Sequence, residues 1–244
     1  MELSGQYRGS RRRALSGGLL AWAFALVPIG LAYAAANPAP FPTPWLDNPK
    51  AAGNLQTAVL AGGCFWGMQG VFEHVKGVRR VLAGYSGGNK ATAHYALVGT
   101  GTTGHAESIQ ITFDPGVVSY GDILRVYFSV AHDPTELNRQ GPDEGARYRS
   151  AIFYADTRQH EIAQAYIAQL QHAGVFGQPI VTRVDPLTGF YAAEDYHQDF
   201  LVHNTDYAYI VQNDLPKIAN LKRKFPQLYR DQPTLVAKSL AVTK

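Results

Sequence analysis

The stretch Val59-Leu60-Ala61-Gly62-Gly63-Cys64-Phe65-Trp66-Gly67-Met68-Gln69-Gly70-Val71-Phe72-Glu73-His74-Val75 reads as strand, turn and helix in succession. Ala58 to Gly62 is a short apolar strand, and Cys64 to Val75 is a helix. The cysteine falls at the strand-to-helix turn, where free N–H groups and the helix dipole favour an anion. It is the single cysteine of the chain, so no internal disulfide is open to it. Three roles are left: buried filler, metal ligand, or a reactive sulfur that something outside the chain must service. Two glycines before it and two large aromatics after it favour the third.

Working outward, Val78 to Tyr85 reads as a second strand and Ser86 to Gly104, rich in Gly, Thr and Ala, as a loop. His105 to Phe113 alternates, with Ile109, Ile111 and Phe113 on one face, and reads as a half-buried strand. Ser119 opens a helix, with Asp122 as acidic capping partner and Ile123, Leu124, Tyr127 and Phe128 as its apolar stripe. His132 to Tyr148 reads as an ordered loop, Ser150 to Ala155 as a strand, Thr157 to Ala173 as a helix stopped by Gly174, and Pro179 to Val184 as a final strand. This order predicts an α+β fold: a two-layer arrangement of a mixed sheet with helices on one face, built on a split-βαβ (ferredoxin-like) core with long loops. The chain after Tyr209 holds Pro216, Pro226 and Pro233 and reads as a wrapping or loose tail.

The chain has 244 residues, enough for one domain and flanking segments. Residues 1–36 have the layout of an export leader: Arg11-Arg12-Arg13, then an uncharged apolar run from Leu19 to Ala36 ending in Ala-rich cleavage sites. Ser10-Arg11-Arg12-Arg13-Ala14-Leu15 also resembles a twin-arginine export signal. A cleaved leader predicts a periplasmic or secreted protein with no stable membrane span. An uncleaved anchor is the alternative, but Pro28 and Gly30 interrupt the run. Asn37 to Pro49 carries five prolines, so residues 37–54 read as a linker. Residues 55–210 are then the catalytic domain and 211–244 an extension. The leader holds four arginines and one glutamate, a balance of +3, and the whole chain is +3, so the remainder is neutral. That leaves nothing to recommend nucleic acid or an anionic surface as a partner.

A reactive Cys64 needs an acid or base and a way to hold substrate. Glu107 begins an otherwise apolar strand. It is either a desolvated carboxyl, with a raised pKa that suits a general acid, or a solvated strand-end glutamate. Phe65 and Trp66 are either core or an apolar slot beside the sulfur. His105 fits a structural role, and Asp143 and Tyr148 fit ordinary turn chemistry. The histidines are scattered without a metal-ligand spacing, and no metal or cofactor is expected.

Several ordered motifs go further. Gly63-Cys64-Phe65-Trp66-Gly67, Gly84-Tyr85-Ser86-Gly87-Gly88, Tyr95, Thr103-Gly104-His105-Ala106-Glu107, His132-Asp133-Pro134, Tyr148-Arg149-Ser150 and Ala193-Glu194-Asp195-Tyr196-His197-Gln198 together resemble the A-class peptide-methionine sulfoxide reductases. The resemblance spans about Leu55 to Tyr209. It implies reduction of methionine-S-sulfoxide, free or in proteins. The Cys64 thiolate would attack the sulfoxide sulfur and Glu107 would protonate its oxygen. Tyr95 and Tyr148 would donate hydrogen bonds to that oxygen, Phe65 and Trp66 would hold the S-methyl group, and Asp143 would lie near the substrate. Cys64 would be left as a sulfenic acid. Many relatives carry later cysteines that resolve it; this chain has none. The resemblance then implies an external thiol reductant: a small thiol, a thioredoxin-like or glutaredoxin-like protein, or a partner domain. Combined with the leader, it implies repair of oxidised exported proteins by a monomer. Pro142 departs from the family pattern, where asparagine is more usual, and removes an N–H beside Asp143. The competing enzyme reading is a cysteine hydrolase with His105 or His132 as base. The non-enzyme reading is a metal-binding or structural export module.

Overall fold

A computed structural model describes residues 41–236 of the chain. The leader proposed for residues 1–36 lies outside them. The chain runs β1 (Gln56–Ala61), α1 (Phe65–Glu73), β2 (Val78–Ser86), α2 (Tyr95–Val98), β3 (Ala106–Phe113) and α3 (Tyr120–Val126), which continues as a wider π turn to Ala131. A small hairpin follows, β4 (Arg139–Gln140) and β5 (Asp143–Glu144), then β6 (Ala151–Tyr154), α4 (Thr157–His172), β7 (Arg183–Pro186) and β8 (Phe190–Ala192). Three helices close the described chain: α5 (Phe200–His203), α6 (Ala208–Asn213) and α7 (Leu215–Lys224).

Six strands form one sheet in the order β7-β6-β1-β3-β2-β8. Its centre, β6-β1-β3-β2, is antiparallel throughout, with β3 inserted between β1 and β2. That is the split-βαβ core expected from the element order. β7 adds in parallel to β6, and β8 adds antiparallel to β2, which makes the sheet mixed.

The helices share one face. Met68, Val71 and Phe72 of α1 recur at helical spacing and join Leu60, Val81, Ile109 and Ile111 of the sheet in one buried cluster. Ile123, Leu124, Ile162 and Leu170 from α3 and α4 extend it. Each fully buried large aliphatic or aromatic side chain here contributes about 1.5–3 kcal/mol. The opposite face is covered more thinly, by Val59, Ala61, Ala151 and Phe153 with Leu187 and Phe190 against them. α3 starts with the expected capping box, in which Ser119 and Asp122 satisfy each other's backbone N–H.

Three readings need correction. The final strand is β7 at 183–186 rather than Pro179 to Val184, and the edge strand β8 was not foreseen. The stretch read as a linker has no regular structure, but residues 41–48 are strapped to the domain. Gln169 and Tyr166 of α4 bond the carbonyls of Thr43 and Pro42, and Gly121 of α3 donates to Asp47 at 2.8 Å. The tail is likewise part of the core up to Leu228: Leu221, Phe225 and Leu228 are buried in the main cluster. Pro216 sits in the first turn of α7, where its missing N–H leaves no bond unmade.

Candidate active site

β1 ends at Ala61, and two glycines carry the chain into α1. Gly63 has φ 91°, a conformation that favours glycine, and a Cβ there would strike the Gln140 side chain at 2.5 Å. Cys64 is then the N-cap of α1. Its sulfur is not freely displayed: the residue is only 8% exposed.

β3 brings Glu107 to the same turn. Its Oε2 accepts from the Phe65 N–H at 3.1 Å, satisfying one of the free donors at the start of α1. Burial pushes the Glu107 carboxyl up to about 8; Asp143 adds to this, while the Phe65 N–H and Arg147 oppose it. At neutral pH Glu107 is therefore mostly a protonated acid. The solvated strand-end alternative is wrong: the residue is buried.

The expectation of an anionic sulfur is also corrected. Burial first, then the Glu107, Asp214 and Asp143 carboxyls, raise the Cys64 thiol well above its ordinary value, against a lowering bond from the Trp66 N–H. The helix N-terminus alone does not make a thiolate here. The resting sulfur is a thiol.

Cys64 and Glu107 open into a cavity of about 140 Å³, also lined by Phe65, Trp66, Tyr95, Asp143 and Tyr148. All seven residues singled out in the sequence thus meet in one place. Two further residues complete the wall, Tyr207 and Tyr209. Tyr209 donates its hydroxyl to Asp143, which fixes the carboxylate of β5. Pro142 does no harm at this point. It lies at the hairpin tip between the paired residues Gln140 and Asp143.

A supporting layer surrounds these groups. The Trp66 indole stacks on Phe200 at 3.9 Å, and its N–H donates to His197 Nδ1 at 3.2 Å. Glu194 accepts from the Tyr95 backbone N–H and from the Tyr85 hydroxyl, both at 2.9 Å. The Ala193-to-Gln198 motif thus holds Trp66 and Tyr95 in place, a role that the sequence reading did not derive. Tyr148 is raised to about 12 by burial and the Glu107 charge, so it is a donor at working pH.

Neither histidine of the hydrolase reading lines this cavity. The ring of His105 bonds the Asn89 carbonyl at 3.0 Å. His132 donates Nδ1–H to the Tyr127 carbonyl at 3.0 Å, and burial pushes its pKa down to about 3. The partner the geometry gives to Cys64 is a carboxylic acid. Among the described residues no group of His, Cys, Asp and Glu could hold a metal ion.

The family model described as peptide methionine sulfoxide reductase matches residues 56–229. The chain belongs to that family. Its match takes in α7 and ends at Tyr229. Peptide methionine sulfoxide reductase MsrA 2 of Mesorhizobium japonicum is 59% identical over 187 residues, covering 77% of this chain and 96% of that protein. The namesake from Synechocystis is 52% identical over 194 residues, covering 78% of this chain and 89% of that one. Among solved structures, reduced Mxr1 of Saccharomyces cerevisiae aligns with a TM-score of 0.56 at 30% identity, over 62% of this chain and 87% of that one. Methionine sulfoxide reductase A of Corynebacterium diphtheriae aligns with a TM-score of 0.55 at 33% identity, over 69% and 84%. The protein is an A-class peptide-methionine sulfoxide reductase, and its α+β architecture is that of its relatives.

Proposed function

We propose that the reductase acts on the S epimer of methionine sulfoxide by direct transfer of oxygen to Cys64. The observation that carries this reading is the shared turn: a buried thiol and a protonated Glu107 meet at the first N–H groups of α1, in a cavity of side-chain size. Glu107 protonates the sulfoxide oxygen while the Cys64 sulfur attacks the sulfoxide sulfur. The S–O bond breaks, methionine leaves, and the oxygen ends on Cys64 as a sulfenic acid. The thiol proton returns to the Glu107 carboxylate, so the proton count of the site is unchanged. Tyr95 and Tyr148 supply hydrogen bonds to the oxygen, Phe65 and Trp66 enclose the methyl group, and Asp143 orients the substrate backbone.

The cycle closes outside the chain. Two external thiol groups reduce the sulfenic acid to thiol and water and leave as a disulfide. The chain has no second cysteine to take this role. The arginine-led, apolar first 36 residues support export, with oxidised exported proteins as the substrates. N-terminal sequencing of secreted material is expected to begin near Ala35 or Asn37, and an intact Met1 defeats cleavage.

The chemical test uses one equivalent of methionine sulfoxide, no thiol, and a 1,3-dicarbonyl probe for sulfenic acid. One adduct per chain on Cys64, with one methionine released, is the expected result. Methionine release without an adduct, or activity in Cys64→Ser, overturns the reading.

A further inference from the structure

Asp214 stands at the start of α7 with its side chain wholly buried. Its Oδ1 accepts from Lys217 Nζ at 3.0 Å, and its Oδ2 has no hydrogen-bond partner among the described residues. A buried carboxylate oxygen left unpaired is costly. The pair presses on the first turn of α1. A Cβ on Gly67 would come within 1.9 Å of Asp214 Oδ1 and 3.1 Å of Lys217 Nζ. Gly67 is three residues past Cys64, and its bare backbone is what lets the charge approach the cysteine's turn.

We propose that Asp214, anchored by Lys217 in the gap that Gly67 leaves, is a positioning residue that guards the Cys64 sulfur by opposing a second negative charge beside it. The proposal rests on Cys64 being the reacting sulfur. The other charged groups acting on Cys64 are Glu107 from β3 and Asp143 from β5. Arg147, before Tyr148, acts on the site through Glu107 and that tyrosine. Tyr95 of α2 and Tyr209 of α6 also couple to the sulfur, as phenols whose pKa burial raises. His132 packs against Gly62 and is neutral. Burial raises the Asp214 carboxyl and Lys217 pulls it back toward ionisation. A chain with no resolving cysteine gains from this arrangement. The thiolate is the form that peroxide oxidises, and a sulfenic acid that lingers is exposed to the irreversible rungs.

The test is alkylation of Cys64 by iodoacetamide, without sulfoxide, in brief pulses from about pH 7 to 12, so that the upper plateau and the midpoint of the profile are reached. Asp214→Asn is expected to move the midpoint of the profile to lower pH by on the order of one unit, so that labelling on the rising limb speeds up about tenfold. Inactivation by hydrogen peroxide is expected to accelerate with it. A merely structural role would change labelling by the same factor at every pH and leave the midpoint alone; that result overturns the proposal. If Asp214→Asn does not fold, Asp214→Asn/Lys217→Met removes the pair as a neutral unit. Its midpoint is expected to fall by less, because the carboxylate stands nearer the turn than the ammonium. An unmoved or raised midpoint there also overturns it. Sulfoxide reduction surviving in Cys64→Ser would instead strike at the role of Cys64.

Discussion

One wall of the cavity and the wall facing it are built differently. Cys64, Phe65 and Glu107 hang on β1, α1 and β3, elements that are long, central and packed into the main core. Tyr207 and Tyr209 come from the segment around α5 and α6, helices of four and six residues, and Asp214, outside the lining, follows at the start of α7. The first wall ties Glu107 by a hydrogen bond to the N–H of Phe65, the residue next to Cys64. The second touches them through charge and through one bond to Asp143. The difference separates chemistry, fixed by the sheet, from control of charge and access, supplied by the helices that wrap it.

The largest expected effect lies on the first wall. Glu107→Gln keeps the shape and removes the proton, and it is expected to lower kcat by on the order of 10²–10⁴. In the wild type kcat is expected to fall as pH rises through about 8, because Glu107 then loses the proton it must give. The Gln variant is expected to lack that limb. Stability carries the same sign. Between 4.5 and about 8 the folded state holds a proton on Glu107 that the unfolded state has released, so the wild type loses stability as pH rises through this window. Melting temperature against pH for the two proteins checks it. Equal slopes would mean that Glu107 is not buried as an acid, and the contrast between the walls would fail.

The two walls also differed in how much of them could be read from sequence. The Cys64 turn is local: strand, glycines, cysteine and helix follow within twenty residues, and each has its own signal. The split-βαβ core followed from the order of the elements, whereas the edge strand β8 did not. Asp143 and Tyr148 were named by resemblance, since a two-residue strand and a 3₁₀ turn leave no periodic pattern. Tyr207 and Tyr209 were missed because short helices without side-chain caps carry no start signal, and Asp214 because Pro216, which opens α7, was counted with the prolines of the tail. The scattered prolines there left a wrapping and a loose tail equally open. The usable clue was Leu221 and Phe225, four apart and apolar, which mark a buried face on α7. The thiol state of Cys64 was not legible at all. It depends first on burial and then on three carboxyls that the fold gathers from distant parts of the chain.

A smaller effect is expected from Tyr209→Phe on the second wall. The substitution removes the hydroxyl that Asp143 accepts from and leaves the ring in place. An unpaired, partly buried carboxylate oxygen costs about 1–3 kcal/mol. If that cost falls on substrate binding, kcat/KM drops about tenfold for 1.4 kcal/mol, mostly through KM. Steady-state kinetics with a peptide sulfoxide decides it. A loss as large as that of Glu107→Gln, and in kcat, would make this wall chemical and dissolve the distinction.

The smallest effect is expected where the chain crosses neither wall. Asp47, in the strap before β1, accepts from the Ser119 hydroxyl and from the Gly121 N–H at 2.8 Å. It is in effect a second cap on α3, and its charge lies at the positive end of that helix. Asp47→Ala strips both bonds and is expected to cost about 1–2 kcal/mol of stability. Asp47→Asn keeps a carbonyl acceptor and is expected to cost less. Catalysis should be unchanged in both, because the strap holds α3 and α4 and touches no residue of the cavity. Urea midpoints and kcat measured on the same samples give the two readings together. A loss of activity without a loss of stability would show that the strap reaches the site by a route other than packing. The control of Cys64 would then extend to a third region of the chain.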